Sequence, residues 1–398
     1  MEYVFQLLLF FIYITISSYA ADFVQNPDFE IPPANLTTAN ATAGANSIPG
    51  WSVNGTVWYV PLTSSSGGGH AVQLGPNGKI SQTIKATGGD DVLHYILSFT
   101  VAAQNQDCAN NLTALNLTLH DSWDTYASKL IYMQKNSTRN LWERHALYLG
   151  QLGERDYVHL QIESVATNSQ HNNVTCWPLV DAFTVNTNFL PRWYNGNWMS
   201  NGGFEVGPAF LKNSADGIIL TSEEEMLESP LQQWSILGTI RYIDSRHYRV
   251  PRGEAAVELL SGDPSGVRAD FTNLPTKYTY TLNFTVGDAN DSCVGDFTVH
   301  VQVGSSAVYN FTMHSNGTGS AFKQSLKFKV DEKPSSSRET SITFYSFDEG
   351  RTRAGLLCGP VLDSIFLAGS YGERVRPCIC NGILLLVFSF FIAFNLHT

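Results

Sequence analysis

One stretch of this chain occurs twice, and each copy ends on a cysteine. Tyr280 to Cys293 reads YTLNFTVGDANDSC, and Tyr95 to Cys108 reads YILSFTVAAQNQDC. In the second copy Tyr280, Leu282, Phe284 and Val286 alternate with Thr281, Asn283 and Thr285, the period of two that turns one strand face inward and the other outward. Asn283 opens an Asn-Phe-Thr sequon. A glycan there has to meet solvent, so sequon and alternation agree on which face is out. Gly287, Asp288 and Asn290 supply turn chemistry, and Cys293 pins the end of the turn.

The repeat runs far beyond this stretch. Asn26-Pro27-Asp28-Phe29-Glu30 returns as Asn201-Gly202-Gly203-Phe204-Glu205, offset by 175, and Ile48-Pro49-Gly50-Trp51-Ser52 returns as Leu231-Gln232-Gln233-Trp234-Ser235, offset by 183. Val72-Gln73-Leu74 and Cys108 return at offset 185 as Val257-Glu258-Leu259 and Cys293. Cys176-Trp177-Pro178-Leu179-Val180-Asp181 returns at 182 as Cys358-Gly359-Pro360-Val361-Leu362-Asp363. Blocks in one order with a drifting offset describe two related units that differ in loop length.

Each half holds short alternating segments broken by Gly, Asn, Pro and Ser, with almost no 3.6-residue periodicity. The expectation is an all-β protein of two tandem antiparallel β-sandwich domains, 22–188 and 195–368, joined by the linker 189–194. The linker reads FLPRWY, whose aromatics suggest a packed joint. Glu223 to Leu227 is the clearest candidate for a helical turn. Each domain has two cysteines at matching positions, which predicts the disulfides Cys108–Cys176 and Cys293–Cys358. Loops of this size correspond to on the order of 4 kcal/mol each in the chain-entropy model.

The two ends point to the secretory route. Residues 1–21 form an apolar run that closes on small residues, the pattern of a signal peptide. Residues 369–398 place Gly369, Ser370 and Gly372 before a polar spacer and an uncharged apolar tail. That order describes a glycosylphosphatidylinositol signal with Ser370 as candidate attachment site, tethering the protein to the outer plasma-membrane leaflet. Cys378 and Cys380 would leave with the tail. Eleven sequons begin at Asn35, Asn40, Asn54, Asn111, Asn116, Asn136, Asn173, Asn283, Asn290, Asn310 and Asn316. The net charge of −11 argues against nucleic acid and polyanionic polymers as partners.

Nothing in the sequence builds a catalytic centre: there is no GxSxG, no HExxH and no cluster of histidines. No metal site or cofactor is expected from these motifs. Asp181 and Asp363 fit strand-end residues that accept backbone amides. Asp288 and Asn290 fit a tight turn, with a structural calcium as the functional alternative. Trp51 and Trp234, repeated in both halves, fit the core better than sugar platforms, whereas Trp58, Trp123, Tyr242 and Tyr248 are candidates for exposed contacts. Arg241 to Arg252, RYIDSRHYRVPR, concentrates Arg241, Arg246, Arg249 and Arg252 around Asp244. We expect it at the surface, as a solvated loop or as a binding edge in which the guanidinium groups meet carboxylates and Tyr242, His247 and Tyr248 add contacts.

Several blocks carry a resemblance: Asn201-Gly202-Gly203-Phe204-Glu205, Tyr242-Ile243-Asp244-Ser245, Val250-Pro251-Arg252-Gly253, Ala256-Val257-Glu258-Leu259, Val286-Gly287-Asp288-Ala289-Asn290 and Cys358-Gly359-Pro360-Val361-Leu362-Asp363, with Ser122-Trp123-Asp124-Thr125-Tyr126 in the first half. With these the chain resembles the plant cell-wall proteins of the DUF642 family, whose members resemble tandem galactose-binding-like jelly rolls. The resemblance implies a non-enzymatic extracellular protein that binds wall polysaccharide such as cellulose or hemicellulose, and wall enzymes such as pectin methylesterase. A glycan-directed hydrolase or esterase, and a tethered adhesion or signalling component, are the alternatives. Domain one departs from the family pattern at Pro27 and Trp177, and domain two at Gln232. Trp177 stands where the pattern has a glycine, which puts any ligand site built on that turn of domain one in doubt.

Overall fold

The computed structural model describes residues 23–371 apart from 35–47, 63–68, 88–92, 106–107, 109–113, 122–124, 134–141, 166, 169–174, 190–195, 212–216, 223–227, 261–263, 273, 277, 306 and 331–338. The signal segment, the apolar tail, the Glu223–Leu227 turn, Trp123, the linker beyond Phe189 and the sequons at Asn35, Asn40, Asn111, Asn136 and Asn173 lie outside the described residues. Among the described residues every regular element is a β-strand.

Each half is a two-layer β-sandwich, as the alternation predicts. In domain one the first layer runs Val57–Pro61, His70–Leu74, Leu179–Asn188, Leu93–Ala102, Trp142–Leu152 in spatial order. The second runs Ser52–Asn54, Lys79–Lys85, Tyr157–Val165, Ala114–His120, Thr125–Tyr132. Domain two repeats this with Thr239–Asp244, Ala255–Leu259, Val361–Tyr371, Tyr278–Gly287, Ala321–Lys329 facing Ser235–Leu237, Ser265–Thr272, Glu339–Ser346, Val294–Val303, Ala307–Asn316. Tyr280, Leu282, Phe284 and Val286 fall in the core and Asn283 is exposed, so the repeated strand has the faces its sequence assigns.

The repeat is visible at atomic detail. Trp51 and Trp234 are core residues, and each indole N–H donates to the carbonyl of the equivalent asparagine, Asn26 at 3.2 Å and Asn201 at 3.1 Å. The phenols of Tyr59 and Tyr242 are likewise buried and donate to the carbonyls of Phe29 and Phe204, at 2.7 and 2.8 Å. Both disulfides form as expected, with Cα separations of 5.4 Å for Cys108–Cys176 and 5.9 Å for Cys293–Cys358.

The last strand and the joint between the domains add to the expectation. The last strand extends to Tyr371, pairing Gly369 with Tyr280 and Ser370 with Thr279, and the Ser370 hydroxyl donates to the Thr279 carbonyl at 3.1 Å. Residues assigned to the tail region therefore finish the sheet, because the repeated strand offers partners to its end. The domains are also joined by more than a linker. Ile218–Thr221 lies parallel to Trp142–Leu152, with Ile218 opposite Arg144 and Ile219 opposite His145, so one sheet continues through both domains.

Domain two also covers the outer face of domain one's first layer. Ile96, Ala146 and Tyr148 point away from their own core and belong to the apolar cluster of domain two. Asn186 receives the Ala209 amide at 3.0 Å and donates to the Gly207 carbonyl at 3.1 Å, and Asn188 donates to the same carbonyl at 3.0 Å. Lys129 donates to the Thr221 carbonyl at 3.2 Å. The joint is packed, through these strands and not through Phe189, which is 67% exposed.

Candidate functional site

The arginine-rich segment divides into an inner and an outer part, which corrects its assignment to the surface as a whole. Arg241 sits on the Thr239–Asp244 strand, directly opposite Glu258, and both side chains are buried. Its guanidinium donates to Glu258 at 2.8 Å and to the Leu357 carbonyl at 2.7 Å, and Asp291 lies 3.7 Å away. Burial pushes the Glu258 carboxyl up against the pull of that guanidinium. Tyr242, on the opposite face of the strand, is 2% exposed, and burial raises its phenol far above the usual range. Neither residue can reach a ligand.

The outer part is the loop after Asp244. The Asp244 carboxylate accepts the amides of Arg246 at 2.8 Å and His247 at 3.1 Å and lies 3.0 Å from His247 Nδ1. Tyr248 packs on Ile243, Ala256, Ala289 and Val361, and its hydroxyl accepts the Gly217 amide at 3.2 Å. Arg246, Arg249 and Arg252 are exposed. The Arg252 amide donates to Asp363 at 2.7 Å, tying the loop to the last strand.

Asp288 is a turn anchor. Its buried carboxylate accepts the amides of Asn290 at 3.0 Å, Gly319 at 2.5 Å and Ser320 at 2.9 Å, plus the Ser320 hydroxyl at 2.6 Å. Burial pushes this carboxyl up, but the four donors outweigh it and hold it below the usual range. Asn290 is exposed with φ 58°, left-handed backbone that asparagine tolerates. Asp181 and Asp363 mark bulges and are followed by left-handed residues, Ala182 and Ser364, whose amides they accept. Burial pushes both carboxyls up to about 7, helped by the charges of Asp28 and Glu30 around Asp181 and of Glu205 beside Asp363. Among the described residues no group of three or more His, Cys, Asp or Glu could hold a metal ion.

At Arg241 the domains part company. Glu258 also accepts the Gly359 amide at 3.0 Å, and a Cβ on Gly359 would come within 1.9 Å of the Leu259 carbonyl oxygen. Domain one has Trp58 opposite Gln73 at the equivalent register, with Trp177 in place of the glycine. The charged pair Arg241 and Glu258 and the glycine whose amide it holds are thus all replaced in domain one. Trp58 is half-buried.

The free sheet faces are what can receive a ligand. Domain one's first layer is covered by domain two, and the equivalent face of domain two carries the exposed sequon asparagine Asn283. The second layer of domain two also carries a sequon asparagine, Asn310, but sets aromatic rings beside it. Val299, Val301, Ile342 and Phe344 fill the core, so His300, Thr343 and Tyr345 face outward on the same strands. The register sets them side by side, with Tyr345 opposite His300 and His300 opposite Asn310. The His300 and Tyr345 rings stack, with centroids 5.1 Å apart and planes at 21°. Phe347, 54% exposed, stands edge-on to both, 5.3 Å from Tyr345 and 5.5 Å from His300.

Three features complete this surface. Gly266 lies opposite Tyr345 on the neighbouring strand, where a Cβ would come within 2.2 Å of the Phe344 carbonyl oxygen, so that flank of the tyrosine carries no side chain. The segment bearing Phe347 is fixed, because the next residue, Asp348, accepts the Thr298 amide. Polar groups surround the rings: Asn310 Oδ1 lies 2.8 Å from His300 Nδ1, Arg268 pairs with Asp270 at 2.7 Å, and Gln302 and Thr312 lie on the same face. In domain one the equivalent row is Lys79, Glu163 and Asn116, a 3.0 Å ion pair beside a sequon asparagine. That row of domain one therefore lacks the rings that domain two sets at the equivalent positions. Sequence reasoning passed over the aromatic surface, although ITFYSF at Ile342 to Phe347 shows the signal, aromatics on both faces of one strand.

A set of rings at the surface, Phe347 exposed and Tyr345 and His300 half-buried, edged by hydrogen-bonding groups, suits a ligand with an apolar face and a polar rim, as a pyranose ring has. Of the described sequon asparagines, Asn54, Asn283, Asn290, Asn310 and Asn316 are exposed and Asn116 is half-buried.

The model of the DUF642 family, described as a protein of unknown function, matches residues 22–186 and 197–368. The Arabidopsis thaliana protein TEEBE is 31% identical over 363 residues, covering 85% of this chain and 89% of that protein. The Arabidopsis thaliana protein DUF642 L-galactono-1,4-lactone-responsive gene 2 is 29% identical over 364 residues, covering 88% and 92%. Among solved structures, a family 61 carbohydrate-binding module in complex with beta-1,4-galactotriose aligns at 17% identity and a TM-score of 0.28, covering 42% of this chain and 98% of that one. The tandem family 22 carbohydrate-binding modules of Paenibacillus barcinonensis Xyn10C align at 13% identity and a TM-score of 0.28, covering 85% and 100%.

Proposed function

The chain belongs to the DUF642 family, and we propose that it is a non-enzymatic, extracellular binder of neutral cell-wall polysaccharide, working through the outer face of domain two's second layer. The observation that carries this reading is the ring cluster of half-buried Tyr345 and His300 with exposed Phe347, with Gly266 leaving one flank open. Neutral chains fit it because Arg268 on this face is paired with Asp270, and the net charge of −11 opposes polyanions such as demethylated pectin. The ligand class is a chain of pyranose units whose C–H faces lie on the rings while its hydroxyls meet Gln302 and Thr312.

The test is affinity electrophoresis of the native glycoprotein through gels containing cellulose derivatives, xyloglucan, xylan or galactan, with polygalacturonate as the polyanionic control. Retardation by at least one neutral polymer and by no polyanion is expected. Free migration in every gel would overturn the reading.

A second reading is a protein partner with exposed carboxylates, such as a wall enzyme of the pectin methylesterase kind, at the Arg246 and Arg249 loop. What favours it is the exposure of those guanidinium groups, Arg246 with its nearest carboxylate oxygen 3.7 Å away. For location we infer secretion and a lipid anchor at the outer plasma-membrane leaflet, supported by the segments at 1–21 and 369–398. With Ser370 hydrogen-bonded in the last strand, an anchor there would begin where the sheet ends. Phosphatidylinositol-specific phospholipase is expected to release the protein from membranes, and retention would contradict the anchor.

A further inference from the structure

Domain two closes over a cation. Arg144 lies on the Trp142–Leu152 strand, on the face of domain one's first layer that the joint covers, and is 2% exposed. Its Nη2 donates to the Thr184 hydroxyl at 2.8 Å. Nε and Nη1 are buried and have no acceptor. Among the described residues no carboxylate pairs with it, and the glutamate beside it in sequence, Glu143, is 3.3 Å from His145. Burial lowers its pKa only to about 10, so the group is a cation at neutral pH.

A second orphan lies along its path. The strand Leu93–Ala102 runs between those of Arg144 and Thr184, so the side chain reaches over it, across two strand spacings or roughly 10 Å. Ser98 stands on that middle strand, directly opposite Thr184 on one side and Ala146 on the other. It is fully buried and its hydroxyl has no partner. Buried donors are rarely left unmatched, and a buried charge without a counter-charge is among the costliest arrangements in a protein. A water molecule could occupy the donors but would leave the charge uncompensated.

We propose that the joint between the two domains encloses one small monovalent anion of the halide class, held by the Arg144 guanidinium and the Ser98 hydroxyl. Enclosure excludes a sugar, a polymer or a bulky oxyanion. One guanidinium calls for one negative charge. The anion then belongs to the joint, because domain two covers the face on which it sits, and it sets how firmly the two sandwiches hold together.

The full-length protein is crystallised from sodium bromide, and the anomalous difference map is read at the joint. A bromide peak within about 3.5 Å of the Arg144 guanidinium and the Ser98 hydroxyl is expected. No anomalous peak, with an ordered water only in that place, overturns the proposal. In solution the thermal midpoint should rise by a few degrees when gluconate is exchanged for chloride at constant ionic strength. Arg144→Met should remove that rise. Should Arg144→Met fail to fold, Ser98→Ala serves instead, since it deletes a hydroxyl without a protein partner, and it should reduce the chloride-dependent rise. An unchanged response in Ser98→Ala, or the absence of a response in the wild type, counts against the anion.

Discussion

Arg241→Met breaks the buried pair in domain two. Glu258 is fully buried, so removing the guanidinium 2.8 Å away leaves either an uncompensated carboxylate or a carboxyl that must take up a proton. The Leu357 carbonyl loses its donor as well, while the Gly359 amide still meets Glu258. Losing one partner of a buried pair typically costs about 3–5 kcal/mol, and the retained amide places this case near the lower figure. Arg241→Met with Glu258→Gln should recover most of the loss, to within about 1.5 kcal/mol of wild type, since glutamine still accepts the Gly359 amide and domain one itself runs on Trp58 and Gln73. Urea unfolding followed by tryptophan fluorescence reads this directly, because Trp234 sits in the core of the same domain. A single substitution costing under about 1 kcal/mol, or a double variant worse than the single, would refute the buried-pair argument.

Other outcomes follow from the same geometry. Asp181 and Asp363 have folded pKa values pushed up to about 7, above their ordinary 3.8, so the unfolded chain ionises first and stability falls as pH rises from about 4 to about 7. The thermal midpoint should be higher at pH 5 than at pH 8, and Asp363→Asn should flatten the profile; a midpoint that climbs steadily to pH 8 would contradict it. Asp288 acts in the opposite sense, contributing stability that is lost as pH falls below its ordinary range. Asn310→Gln removes a sequon whose side chain touches His300, so polysaccharide should be held at least as tightly as by the wild type; weaker retardation would show that the glycan assists the site.

Much of the fold was legible because it is written twice. The alternation of Tyr280 to Val286 and its sequon gave the strand and its faces, and matched cysteines gave both disulfides. Legibility ended where a fact depends on two distant segments meeting. Arg241 and Tyr242 read as surface residues because their strand neighbours Glu258 and Val257 are remote in sequence, and only register shows that one buries a charge pair and the other the core. Ser370 read as part of a tail because its partner, Thr279, is 91 residues away. The aromatic surface escaped for a similar reason, since His300 and Tyr345 are joined by pairing between strands and not by spacing. The linker aromatics suggested a packed joint, but the strands that form it carried no sequence signal: Ile218 beside Arg144 is a parallel contact between elements of different domains.

The most direct measurement is the affinity of Tyr345→Ala/Phe347→Ala for the neutral polysaccharide that retards the wild-type glycoprotein. Phe347 is exposed and Tyr345 half-buried, so the thermal stability of the variant should stay within about 1 kcal/mol of wild type, while affinity falls at least tenfold, or about 1.4 kcal/mol. Arg246→Ala/Arg249→Ala, measured alongside, should bind the polysaccharide as wild type does. Unchanged affinity in the aromatic variant, or loss of binding confined to the arginine variant, would contradict the assignment of the site to domain two's second sheet.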